Sequence, residues 1–177
     1  VNASRLIEQM RNTDRTSILI HDRSERNEQP ETLQGFTMSQ QYTNELTTDV
    51  LERLRQPPFT DEFLSELEPQ SRQSLVAEME SMLQRPVLHI FRGATIGSLT
   101  RHGGVIRETS GKSTLDGHYS ARVGDKIVYP DGREATIICG AGKGRVMQGE
   151  SMALVGSMLD NGDEIISTPQ GCQMFVF

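Results

Sequence analysis

The chain has 177 residues, 35% of them hydrophobic and 5% aromatic with no tryptophan, and a formal net charge of −6. That length suits one ordinary domain or two small ones with a thin core, and an acidic balance disfavours nucleic acid as a partner. No apolar run reaches the roughly 18 residues of a membrane span, and the opening VNASRLIEQM has no signal-peptide core, so we expect synthesis in the cytoplasm and any export to be independent of a signal peptide.

In chain order, Asn2 can cap a helix over SRLIEQMR, with Leu6, Ile7 and Met10 on one face, and TSILIH (16–21) has the length of a short strand. Residues 22–41 are polar, which predicts an irregular or disordered stretch. NELTTDVLERLRQ (44–56) spaces Leu46, Val50, Leu51 and Leu54 as a helix that Pro57-Pro58 stops. TDEFLSELE follows with Thr60 as N-cap and Asp61 and Glu62 placed to complement the helix dipole. In SRQSLVAEMESMLQ (71–84), Leu75, Val76, Met79, Met82 and Leu83 form one stripe. VLHIFR (87–92) reads as a strand.

Glycine then changes the grammar of the chain. Gly35 and Gly93 are the only glycines before residue 94, and the other 14 of 16 follow it, as do all three lysines. The expected boundary lies at about 90–95, and the expected layout is α+β: a helical extension over 1–93, then an all-β domain over 94–177. The second half reads as strands of 4–7 residues between turns such as Asp116-Gly117, Asp131-Gly132 and Asn161-Gly162, dipeptides whose central positions tolerate positive φ.

This half also repeats itself. An offset of 32 places Val105-Ile106 on Ile137-Ile138, Gly117 on Gly149, Ala121 on Ala153 and Val123-Gly124 on Val155-Gly156. GDKIVYPDG (124–132) then aligns with GDEIISTPQG (162–171) after an insertion. The repeated positions are glycines and small residues, which backbone geometry fixes more than chemistry does.

Catalytic patterns are weak. Gly140-Ala141-Gly142-Lys143-Gly144 lacks the spacing of a phosphate loop and no helix pattern follows it. His21 and Asp22 are adjacent on a strand pattern and so face opposite ways, with Glu25 beyond them. His89 reads as a structural strand residue. The expectation is a non-enzymatic protein.

TRHGGVI (100–106), DGHYSARVGDKI (116–127) and QGESMALVG (148–156), in that order, resemble the PAAR-repeat proteins, with Tyr119-Ser120-Ala121-Arg122 and Ser151-Met152-Ala153-Leu154 at the signature tetrapeptide. The resemblance covers roughly 94–177. It implies a conical β-domain that caps a trimeric VgrG-like spike of a contractile injection machine, a type VI secretion system or a phage tail, and sharpens it for membrane puncturing. It also implies a route out of the cell on that spike, without stable membrane insertion. On this reading the fold and docking positions are Gly103, Gly104, Gly117, Ala121, Arg122, Gly124, Asp125, Gly149, Ala153 and Gly156. The extension before the domain would carry an effector, chaperone or adaptor, or would itself be a small effector or toxin. An unrelated glycine-rich binding module is the remaining alternative. Many members hold zinc near the point through His and Cys. Here that would fall to His102 and Cys172, with His118 or Cys139 as further donors, against the plainer readings of a turn histidine, an exposed hairpin residue and a small buried thiol. Tyr129-Pro130-Asp131-Gly132 stands where the family often has Cys-Pro-x-His-Gly, and Ser167-Thr168 where it often has another Cys.

Overall fold

The computed structural model describes residues 40–142, 145–147 and 149–177, with the backbone of strand β1 (Thr16–Leu19). The expected helix at the N-terminus, and all but the last two residues of the polar stretch 22–41, lie outside the described residues. Among the described residues the architecture is α+β, with three helices and a series of two- to four-residue strands.

One compact unit holds Glu45–Ile90 and Val176–Phe177. Helix α1 (Thr48–Leu54) starts where the Thr47 hydroxyl accepts the Val50 N–H at 3.3 Å. Helix α2 (Asp61–Ser65) starts the same way at Thr60, whose hydroxyl accepts from Phe63. Helix α3 (Pro69–Gln84) begins two residues before the expected segment 71–84, because proline is preorganised for the first helical position. Leu64, Leu75 and Met79 are buried together, with Phe59, Phe63, Leu67, Val76 and Leu83 packed on them. Arg72 of α3 donates to the carbonyls of Leu64 (2.7 Å), Ser65 (2.9 Å) and Leu67 (3.3 Å), so its charge satisfies groups that the end of α2 leaves open. His89 exchanges both of its backbone hydrogen bonds with Phe177, which gives it the structural strand role expected of it.

The second unit holds Phe91–Phe175 and, among the described residues, also 40–44. Its strands are β3 (Leu99–Thr100), β4 (Thr114–Leu115), β5 (His118–Tyr119), β6 (Lys126–Val128), β7 (Glu134–Thr136), β8 (Val146–Met147), β9 (Glu150–Ser151), β10 (Ile165–Ser167) and β11 (Gln173–Val176), with β2 (Ile90–Arg92) entering it. They pair as β10–β3, β4–β5, β6–β7 and β8–β9, and β11 lies between β1 and β2. Between β4 and β5, Asp116 (φ 51°) and Gly117 (φ 76°) both take the left-handed conformation, as the dipeptide predicts. At Asp131-Gly132 and Asn161-Gly162 only the glycine has positive φ, because those loops are longer and place one residue there. Ala94, Ile106, Ala121, Ile127, Tyr129, Ala135, Ile137, Ala153, Val155, Leu159 and Ile165 form one buried cluster.

Residues 40–44 are woven into this unit rather than into the helices. Tyr42 exchanges backbone hydrogen bonds with Thr168 at 2.8 and 3.0 Å. Gln41 donates to the Gly97 carbonyl and accepts from the Ser167 hydroxyl. Asn44 donates to the Val155 carbonyl at 2.8 Å and accepts the Arg92 N–H at 2.9 Å. The buried Arg92 guanidinium donates to the carbonyls of Thr43 and Gly171 and lies over the Tyr42 ring. Gly171 is glycine because a Cβ there would come within 2.9 Å of that ring.

Candidate functional site

Three stretches of the β unit share one local structure: Ala94 to Ser98, Ala121 to Asp125 and Ala153 to Ser157. Each begins with an alanine that has no exposed surface. Three residues on comes a glycine at positive φ: Gly97 (88°), Gly124 (95°) or Gly156 (100°). The next side chain folds back to accept a backbone N–H, Ser98 from Thr95, Asp125 from Arg122 and Ser157 from Leu154, at 2.9–3.0 Å. Each glycine donates to an isoleucine carbonyl, Ile106, Ile137 or Ile165, and each isoleucine donates back to that serine or aspartate.

The three alanines close a ring. Ala94 donates to the Ala153 carbonyl at 2.8 Å, Ala121 to Ala94 at 2.8 Å, and Ala153 to Ala121 at 2.9 Å. A second ring lies two residues on: Ile96 donates to Tyr119, Val123 to Ser151 and Val155 to Arg92, at 2.8–2.9 Å. Each of these acceptors precedes a ring alanine by two residues, so the stretches are related by a pseudo-threefold. Side chains converge at the ring, which is why each copy carries the small methyl of alanine there.

The sequence repeat at offset 32 captures the second and third copies. The first, Gly93-Ala94-Thr95-Ile96-Gly97-Ser98, escapes it because 27 residues separate the first two alanines and 32 the next two. The alignment needs two corrections. Ile106, Ile137 and Ile165 are equivalent, so Val105-Ile106 falls one residue out of register on Ile137-Ile138. Gly124-Asp125 corresponds to Gly156-Ser157, not to Gly162-Asp163, which closes the hairpin after Leu159. The shared signal is an x-Ala-x-Ile/Val-Gly-Ser/Asp string, legible when the spacing is left free.

The other expected positions serve the turns between copies. Arg122 donates from Nε to the Ser110 hydroxyl at 2.7 Å, and Asp125 accepts from both the backbone and the hydroxyl of Ser110. Gly103, Gly117 and Gly149 have positive φ in open turns. Gly104 is packed so that a Cβ would lie 2.5 Å from Ile127 Cγ2. Gly140, of the phosphate-loop look-alike, lies against the Met152 carbonyl, so its role is close backbone approach.

The expected metal donors do not converge. His102 Nδ1 is 2.9 Å from Asp163 Oδ1. Cys172 packs beside Leu115, Met152 and Phe175, with its thiol donating to Gln170. The exposed Cys139 accepts the Met158 N–H on its sulfur, and His118 lies in β5. Among the described residues no three of His, Cys, Asp and Glu lie together as a metal cage, which a tetrahedral structural zinc requires. The residues present therefore do not fit zinc.

What surrounds His102 is instead a carboxylate cluster that the sequence reading missed. Asp163 is 3% exposed. Burial by itself would raise its pKa, but hydrogen bonds from the Thr100 and Tyr129 hydroxyls, the Glu164 N–H and His102 hold it well below the usual carboxylate range. Burial pushes the Tyr129 hydroxyl up.

The fold and these contacts define a small β-repeat module organised around an internal threefold. Residues 96–167 match the family model of the PAAR motif, which supports reading that segment as a PAAR-repeat unit. No curated protein matches the chain. A PAAR motif fits a spike-tip protein of a contractile injection system.

Proposed function

We propose that the β unit caps a trimeric VgrG-like spike and sharpens its tip for membrane puncturing, as a structural, non-enzymatic part of a contractile injection machine. The observation that supports this most directly is the closed alanine ring, Ala94, Ala121 and Ala153. Three identical spike chains meet at a threefold axis, and a single chain complements all three only if it offers the same backbone surface three times. The three equivalent stretches give this single chain the threefold repeat that such a partner needs. The helical unit before the domain is the place for an effector, chaperone or adaptor, and the chain leaves the cell on the spike. Co-purification with the spike protein encoded beside it tests the reading: the two should co-elute at one copy of this chain per three spike chains. Failure to bind, or an equal stoichiometry, would count against it.

A further inference from the structure

The PAAR resemblance carries an expectation of zinc, and this chain departs from it at the residues involved. Tyr129 stands where the family often has Cys. Its hydroxyl donates to Asp163 Oδ2 at 2.6 Å and accepts from Asn161 Nδ2 at 2.9 Å. Asp163 Oδ1 faces His102 Nδ1 at 2.9 Å and accepts the Glu164 N–H at 2.8 Å. Thr100 Oγ1, in β3, accepts the Gly104 N–H at 2.8 Å. Asn161 accepts the Asp163 N–H and so ties the turn to the cluster.

One buried carboxylate thus joins the His102 loop, the chain just after β6 through Tyr129, and the turn before β10. These are segments a metal would otherwise have to gather, since a unit of such short strands has little core to hold its loops. Both carboxylate oxygens are engaged by protein donors, as a buried charge requires. Neither cysteine is in the cluster, and the thiolate ligands that favour zinc are absent from it.

We propose that the Asp163 hub closes this corner in place of a metal, so that the β unit is built and held without zinc. The proposal is independent of spike docking.

The test uses the full chain. Elemental analysis should find far less than one zinc per chain, and neither EDTA nor added zinc chloride should move the thermal midpoint. Tyr129→Phe removes one hydroxyl and leaves two partners unsatisfied, so the midpoint should fall by about 4–8 °C. Asp163→Asn should lower it further. The double variant should lose clearly less than the sum, because both changes break the same contact. If Asp163→Asn does not fold, the same comparison is made with Asn161→Ala, which breaks the Asn161–Tyr129 contact. Stoichiometric zinc whose removal lowers the midpoint would overturn the proposal, as would full additivity of the paired variants or an unchanged midpoint in Tyr129→Phe.

Discussion

At the scale of single residues, the ring alanines are under a constraint that hydrophobicity does not describe. Ala94, Ala121 and Ala153 are fully buried, and their backbones are fixed by one another at 2.8–2.9 Å. Added methyls cannot be relieved by moving one strand, because each strand is bonded to both others. Ala121→Val should therefore destabilise the β unit by about 1–3 kcal/mol although it adds apolar volume, read as a lower urea midpoint at unchanged slope. Valine substitution tolerated without loss at all three positions would show that the ring is not tightly packed. By contrast, Gly124 has open space at its Cβ and owes its identity to its φ of 95°. Two neighbouring positions of one motif are thus fixed for different reasons, one by space and the other by backbone conformation.

At the scale of elements, residues 40–44 act as part of the β domain despite their distance in sequence. Asn44 holds two backbone groups at once, the Val155 carbonyl and the Arg92 N–H. Asn44→Ala strands both, and should cost about 1–3 kcal/mol in chemical denaturation; a loss below a few tenths would mean that water replaces the amide freely. Nothing in the local sequence marks this strap, since its partners lie as many as 111 residues away and its composition is polar. The helices and hairpins were legible because their signals are local: Thr60 at a cap, the Leu75/Met79 stripe, and Asp116-Gly117 between β4 and β5. The threefold was two-thirds legible, and unequal loop lengths hid its first copy. The Asp163 hub was illegible because Thr100, His102, Tyr129 and Asp163 share no spacing rule; only pairing brings them together.

At the scale of the whole chain, the points where the β unit breaks off and resumes lie close together within it. The chain departs after Asn44 and returns at Phe91, and Asn44 Oδ1 lies 2.9 Å from the Arg92 N–H. Arg92 also holds the Thr43 carbonyl at 2.7 Å. Both ends of the segment 45–90 are therefore fixed by contacts internal to the β unit, and those contacts do not depend on what lies between the ends. Ends that lie close together are what lets a segment be exchanged without disturbing the rest of a domain. The helical unit has a buried cluster of its own in Leu64, Leu75 and Met79. Replacing 45–90 with a glycine-serine linker of about three to five residues, a common loop length, should leave a soluble β unit that unfolds cooperatively and, on the function proposed above, still binds the spike trimer. Removing residues 1–90 takes the strap away as well, and should give a less stable domain than the linker-joined chain, measured side by side by thermal unfolding. If instead the linker-joined chain is insoluble while the chain starting at residue 91 folds well, the strap is dispensable and the helices are the part the β unit needs. The comparison thus separates the segment that completes the β unit from the segment the β unit does not need.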